Sequence, residues 1–155
     1  MKEILNCVAA TLLGSLLPIS TGLAQDVTTE ILENAQDYSD RWVTYGKNYG
    51  AWRYMPDTQI NRDTVAGLRP VWIKQTGVTG GAFEVSALVN DGRMYLTTAN
   101  SHLIVVDPLS GAELWRYDHD FENVDLCCGP HNRGVALYED KVFWGTLDAH
   151  LMAFD

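Results

Sequence analysis

The chain has 155 residues, 20 of them acidic and 11 basic, so its formal net charge is -9 at pH 7. A surface of this sign repels nucleic acid and anionic lipid, so no nucleic-acid partner is expected. The hydrophobic share of 46%, with five tryptophans, is that of a globular protein and excludes a disordered one.

The start of the chain, residues 1–24, has the layout of a secretory signal peptide. Lys2 supplies the basic start, residues 4–19 are mostly apolar, and small residues precede a cleavage point before Gln25. A membrane anchor is the alternative, but an apolar run of about 16 residues broken by polar groups is too short for a span. We therefore expect export to the periplasm and a mature protein that begins near Gln25.

Residues 25–68 are predicted to form an N-terminal segment with short helices. A helix is expected over residues 26–37, with Asp26 as its N-cap. Its apolar face would be formed by Ile31, Leu32 and Ala35. One capped helical turn is expected at residues 60–65.

Residues 69–155 contain short apolar runs separated by turn-forming residues, which predicts strands and turns. Within them, residues 92–107 align without a gap on residues 140–155, a shift of 48 positions. Four aligned pairs are identical: Thr98/Thr146, His102/His150, Leu103/Leu151 and Asp107/Asp155. The strands of the first unit are predicted at residues 85–90, 93–98, 102–107 and 113–117. Four-stranded repeats of this kind are typical of β-propeller blades, and a β-sandwich is the alternative.

The second repeat stops at Asp155, inside a blade. Two blades cannot close a ring, and both flanks would be open sheet edges. We therefore expect the chain to be the N-terminal piece of a longer protein.

Two adjacent cysteines, Cys127 and Cys128, lie in the loop between the repeats. A disulfide between neighbours closes a strained ring, because normal disulfide geometry separates the Cα atoms further than one peptide link allows. The residues alone leave open whether these are free thiols or a bonded pair. Export would favour a mutual bond, since the mature chain would hold no other cysteine in an oxidising compartment. A zinc site with His131 is not favoured, because zinc ligands normally have spacer residues between them.

Four passages together resemble the quinoprotein alcohol dehydrogenases, the methanol and ethanol dehydrogenase family that uses pyrroloquinoline quinone (PQQ). They are residues 42–61, residues 84–89, an Asp-x-x-Ser-Gly-x-x-x-Trp motif at residues 107–115, and a Cys-Cys-x-x-x-Asn-Arg-Gly run at residues 127–134. The third is the tryptophan-docking motif that ties neighbouring blades together in PQQ-type propellers. The fourth is the most specific of the four.

The resemblance implies an all-β fold, an eight-bladed β-propeller, of which this chain would cover the N-terminal segment and about two blades. It also implies a set of PQQ-binding residues: Glu84, Cys127, Cys128 and Arg133. The two cysteines would form a disulfide lying flat against the quinone, while Arg133 would bind a carboxylate of PQQ. The catalytic aspartate and the ligands of a calcium or lanthanide ion would lie beyond residue 155, so no catalytic or metal residue is expected in this chain.

The reaction implied by the resemblance is oxidation of a primary alcohol to an aldehyde by hydride transfer to PQQ. Cytochrome c would accept the electrons, and the protein would be a homodimer. The fragment alone would be inactive. The alternatives are a non-catalytic PQQ-type propeller scaffold and a truncated product without function. Cys127, Cys128 and Arg133 favour the enzyme, because a scaffold has no use for them.

Overall fold

The computed structural model describes residues 26–120 and 125–155, so the predicted signal peptide lies outside the described residues. One short helix, α1 (Thr29–Glu33), and two 3₁₀ turns, Ala35–Asp37 and Val65–Gly67, belong to the N-terminal segment. The strands are β1 (Leu88–Asn90), β2 (Arg93–Thr98), β3 (His102–Val106), β4 (Glu113–Asp118), β5 (Ala136–Tyr138), β6 (Lys141–Gly145) and β7 (Leu151–Phe154). No helix within the described ranges has the length and apolar character needed to cross a membrane.

The strands form two antiparallel sheets, one with the order β1-β2-β3-β4 and one with the order β5-β6-β7. The second sheet repeats the register of the first. Leu88 pairs with Tyr95 in the first sheet, and Ala136 pairs with Phe143, 48 positions later, in the second. Each sheet is therefore one blade, as the internal repeat predicted, and the described part of the second blade contains three strands.

The strand β3 is the centre of the first blade. Leu103, Ile104 and Val106 are fully buried there, because β2 and β4 flank the strand and both of its faces are covered. The tight turn between β1 and β2 has Asp91 and Gly92 in the left-handed region, with φ of 47° and 66°. Two left-handed residues give the turn whose twist matches antiparallel strands, and Asp-Gly is a typical sequence for such a turn.

The N-terminal segment packs across the first strands of both blades. Val27 and Glu139 exchange backbone hydrogen bonds beside β5, and Trp42 and Val89 do the same beside β1. The apolar side chains that join these strands form one buried cluster of Val27, Ile31, Ala35, Val43, Leu88 and Leu137. This segment therefore fixes the two blades relative to each other.

The helix predicted over residues 26–37 was wrong at both ends, because α1 covers only Thr29–Glu33 and Ala35–Asp37 is a separate 3₁₀ turn. Asp26 does not cap the helix, because Val27 is held in extended conformation by Glu139. The cap is Thr28, whose hydroxyl accepts a hydrogen bond from the Ile31 N–H at 3.3 Å. Ile31 and Ala35 are buried as predicted, while Leu32 is half-buried.

Two further boundaries differ from the prediction. The turn expected at residues 60–65 begins with Asn61, whose side-chain oxygen accepts hydrogen bonds from the Asp63 and Thr64 N–H groups, and its 3₁₀ part lies at Val65–Gly67. The first strand was predicted to begin at residue 85, and β1 begins at Leu88. Residues 69–87 have apolar side chains typical of a strand, but they pair with no strand in the described part of the chain.

The tryptophan-docking motif connects distant parts of the fold. The Asp107 carboxylate accepts hydrogen bonds from the N–H and the hydroxyl of Ser110 and from the Leu109 N–H, and these bonds lower the pKa of Asp107. The turn that results is covered by Trp72, whose indole N–H donates to the Pro108 carbonyl at 3.0 Å. At the other end of the motif, Trp115 meets Phe154 of β7 edge-on, with ring centroids 5.1 Å apart.

Candidate cofactor site

Glu84 and Arg133, two of the four residues predicted to bind PQQ, lie together in the structure. A carboxylate oxygen of Glu84 is 3.1 Å from Nη2 of Arg133, and the arginine side chain is 76% exposed. An exposed ion pair of this kind contributes little to stability, about 0–1 kcal/mol. The guanidinium group has five N–H donors, so most of them are left for an anionic ligand.

The residues on either side of Arg133 hold it in place. Asn132 is buried, and its amide N–H₂ donates to the Gly145 carbonyl of β6 at 2.9 Å. The same side chain accepts a hydrogen bond from the Gly134 N–H at 3.1 Å. Gly134 has φ of 120°, and a Cβ there would lie 3.4 Å from the Ser86 carbonyl oxygen. The Asn-Arg-Gly run therefore anchors the loop to β6 and sets Arg133 beside the segment that contains Glu84.

Cys127 and Cys128 are exposed thiols whose Sγ atoms lie 2.8 Å apart. The contact with Cys127 raises the pKa of the Cys128 thiol. The predicted disulfide is not formed in this structure, so the bond stays a prediction. Within residues 26–120 and 125–155, no hydrogen bond joins either cysteine to Glu84 or Arg133.

The loop that contains the two cysteines is tied to the first blade. The Asn100 N–H, at the turn between β2 and β3, donates to the Pro130 carbonyl at 3.2 Å. Gly81 packs between these two elements, since a Cβ there would lie 2.4 Å from Cβ of Ala99 and 3.1 Å from Pro130. Both predicted parts of the site, the Glu84 segment and the cysteine loop, are therefore held against the same turn.

A second arginine, for which the sequence predicted no role, lies close to this group. The guanidinium of Arg53 is 4.6 Å from the ring centroid of Tyr45. Hydrogen bonding to Arg53, and then its charge, lower the pKa of Tyr45, and the charge of Arg133 lowers it further. The Tyr45 ring is therefore in contact with Arg53. The signal in the sequence was the Arg53-Tyr54 pair, which belongs to the first of the four passages that resemble the family.

Lys47 holds the loop between Tyr45 and Arg53. Its side chain is fully buried, and its ammonium donates to the Tyr38 and Arg41 carbonyls at 2.5 Å and 2.7 Å. Burial lowers the pKa of Lys47. A buried lysine is costly unless its donors are satisfied, and here two carbonyls accept from it. The sequence predicts no role for Lys47, because a lysine in a loop is usually solvated.

The candidate site and the loops beside it offer two guanidinium groups, one carboxylate, one phenol and two adjacent thiols. Its charge balance is positive on a chain whose net charge is -9. Forked guanidinium donors match carboxylates, and polarisable sulfur and a phenol ring suit contact with a planar π-system. These residues fit a planar ligand with several carboxylates, which is the chemistry of PQQ.

Comparison with known proteins agrees with this geometry. Residues 42–155 match the sequence profile of the PQQ-type glucose, ethanol and alcohol dehydrogenase β-propeller domain. The chain belongs to this family. It is 37% identical to the quinoprotein ethanol dehydrogenase of Pseudomonas aeruginosa, in an alignment covering 100% of this chain and 25% of that protein. The predicted family and β-propeller fold are therefore confirmed.

Solved structures show the same likeness. A quinohemoprotein alcohol dehydrogenase from Pseudomonas putida HK5 is 32% identical, with a TM-score of 0.76 over 84% of this chain and 19% of that one. A europium-containing methanol dehydrogenase is 31% identical, with a TM-score of 0.71 over 81% of this chain and 23% of that one. The chain thus spans about a quarter or less of the length of the relatives it matches.

Proposed function

We propose that this chain is the N-terminal part of a periplasmic quinoprotein alcohol dehydrogenase that oxidises a primary alcohol to an aldehyde. The observation that carries the proposal is the pairing of Arg133 with Glu84 beside the anchored Asn-Arg-Gly run. Membership of the PQQ family supports it, and so do relatives named as quinone-linked ethanol, 1-butanol and other alcohol dehydrogenases.

Each residue of the site has a distinct role in this proposal. Arg133 binds a carboxylate of PQQ through its guanidinium fork, and Glu84 orients Arg133 and hydrogen-bonds the cofactor. Cys127 and Cys128, joined as a disulfide, cover one face of the quinone. Bound PQQ supplies a quinone that accepts hydride from the alcohol, polarised by a calcium or lanthanide ion acting as Lewis acid.

The other residues that the proposed reaction needs are assigned to chain that follows residue 155. We place the catalytic aspartate and the ligands of the calcium or lanthanide ion there, so the fragment alone is inactive. The europium-containing relative supports a lanthanide as one choice of ion. The quinohemoprotein relatives support a cytochrome-type acceptor for the electrons, here cytochrome c. The homodimer stays a prediction.

The proposed function is tested with the full-length protein, including any chain that follows residue 155. We expect apoprotein loaded with PQQ and calcium, or with PQQ and a lanthanide, to reduce an artificial electron acceptor when ethanol or 1-butanol is added. The product should be the aldehyde, and omission of PQQ should abolish turnover. PQQ binding without turnover over a panel of primary alcohols would refute the alcohol chemistry. Absence of PQQ binding would favour the propeller scaffold.

Export is predicted to leave a mature N-terminus near Gln25. The physical reason is the apolar run at residues 4–19, followed by small residues that suit signal peptidase. N-terminal sequencing of protein from the periplasmic fraction is the measurement. A mature protein that still begins with Met1 would rule out cleavage.

Cys127 and Cys128 are predicted to be bonded to each other in the exported protein. The short distance of 2.8 Å between the Sγ atoms supports this, since little movement is needed to form the bond. Mass spectrometry of the unreduced peptide that contains both residues should show a loss of about two hydrogens relative to the dithiol. Protein reduced beforehand is the control. Alkylation of both thiols without reductant would contradict the prediction.

A further inference from the structure

His119, Asp148 and His150 form a compact cluster outside the site described above. Nε2 of His119 is 2.9 Å from Oδ2 of Asp148, and Nδ1 of His150 is 3.0 Å from the same oxygen. The three donor atoms all lie within 4.8 Å of one another. His119 follows β4 in the first blade, whereas Asp148 and His150 belong to the turn between β6 and β7 in the second. The cluster thus joins the two blades.

Buried groups fix the two halves of this cluster. Ser101 is fully buried, its carbonyl accepts from the His119 N–H at 3.0 Å, and its hydroxyl accepts from the Leu147 N–H at 3.2 Å. The hydroxyl of Thr146 donates to Oδ1 of Asp148 and accepts from the His150 N–H. One oxygen of Asp148 is therefore held by Thr146, and the other lies beside both imidazole rings.

The internal repeat shows what is special about the second blade. His150 aligns with His102 of the first blade, and Asp148 aligns with Asn100. In the first blade His102 contacts the single carboxylate of Asp118, with Nδ1 2.7 Å from Oδ1. A histidine that recurs at one repeat position is typical of a turn or packing role. The second blade has aspartate where the first blade has asparagine, and His119 lies beside that aspartate. Asp148 and His119 are therefore two ligating groups that add to the repeated histidine.

We infer that His119, Asp148 and His150 form a binding site for a divalent transition metal of the zinc class, with water completing the coordination. Two imidazoles and one carboxylate are ligands that zinc accepts, and three protein ligands leave one open position. Tetrahedral ligands at zinc distances stand about 3.3 Å apart. The observed separations of 2.9 Å and 3.0 Å are slightly shorter, so a small outward movement would admit the ion.

An ion at this position would link the end of β4 to the turn between β6 and β7. The side chain of His119 packs edge-on against the fully buried Trp144, with centroids 6.3 Å apart, which limits the movement of the ring. The side chain of His150 is 66% exposed, which gives the ion a route from solvent. The expected consequence is that zinc stabilises the docking of the two blades.

The test is calorimetric titration of the full-length protein with Zn²⁺, with calcium in excess so that sites built only from oxygen ligands stay occupied. The wild-type protein should bind one more zinc ion per chain than His150→Ala or Asp148→Asn. If weak binding remains in either variant, its zinc affinity should be more than about a hundredfold lower. Loss of a residue that only hydrogen-bonds a metal ligand already lowers metal affinity by about ten- to a hundredfold. His150→Ala should fold normally because the side chain is exposed.

The matched control is His102→Ala, which removes the histidine at the equivalent position of the first blade. It should leave the zinc stoichiometry and affinity of the wild-type protein unchanged. Zn²⁺ should also raise the Tm of the wild-type protein and of His102→Ala, but not that of His150→Ala. Co²⁺ in place of zinc should give visible absorption bands of a low-symmetry site that His150→Ala lacks. Equal zinc binding by the wild-type protein, Asp148→Asn and His150→Ala would overturn the inference.

Discussion

Gly111→Ala should destabilise the protein by about 2–5 kcal/mol, the sum of two separate costs. The first is conformational, because Gly111 has φ of 71° and a left-handed residue with a Cβ costs about 1–2 kcal/mol. The second is steric, because the new Cβ would lie 2.6 Å from the indole of Trp72. Overpacking of this kind costs about 1–3 kcal/mol. Urea unfolding of the full-length protein, followed by circular dichroism, measures the sum.

Gly92→Ala is the matched control for Gly111→Ala. Gly92 has a nearly equal φ of 66°, but outside its two chain neighbours no described atom lies within 4 Å of the Cβ that alanine would add. Only the backbone cost should remain, about 1–2 kcal/mol. In a Trp72→Ala background, Gly111→Ala should cost no more than Gly92→Ala does. Equal costs of the two substitutions in the wild-type protein would show that Trp72 does not pack on this turn.

The blade structure could be predicted because the sequence signals for its strands and turns are local and are repeated. The turn at Asp91 and Gly92 has its own signal, and the 48-residue repeat transfers one register to the other blade. The start of the helix could not be predicted in the same way. Asp26 is as good a cap as Thr28 by local chemistry, but Val27 is held by Glu139, far along the chain. A long-range contact of this kind leaves no local pattern.

In the candidate site, too, some residues could be predicted from the sequence and others could not. Glu84 and Arg133 were predicted through the family resemblance, and nothing in their spacing would have brought them together. Arg53 and Lys47 received no predicted role, because their contacts with Tyr45, Tyr38 and Arg41 depend on how the loop folds. The pair of Asp148 and His150 is visible in the repeat, but the third member, His119, comes from another blade and could be found only in three dimensions.

Arg133→Lys should weaken PQQ binding by about tenfold to a hundredfold, even though the positive charge is kept. Arginine presents a planar fork that holds both oxygens of a carboxylate, while the ammonium of lysine cannot fix that geometry. Charge-assisted hydrogen bonds contribute about 1.5–3 kcal/mol each, and the loss of one gives the expected factor. Lysine would also pair less well with Glu84, which lies 3.1 Å from the guanidinium. Titration of metal-loaded apoprotein with PQQ measures the affinity.

Arg93→Lys is the matched control, because Arg93 also forms an exposed pair, with Asp91 at 2.9 Å, but at the hairpin turn between β1 and β2. It should leave the PQQ affinity unchanged, and circular dichroism should show the native fold in both variants. Because an exposed ion pair contributes little to stability, a loss of affinity confined to Arg133→Lys reports on the ligand and not on folding. Equal PQQ affinities of Arg133→Lys, Arg93→Lys and the wild-type protein would make Arg133 a structural residue. The placement of PQQ beside Arg133 and Glu84 would then be withdrawn.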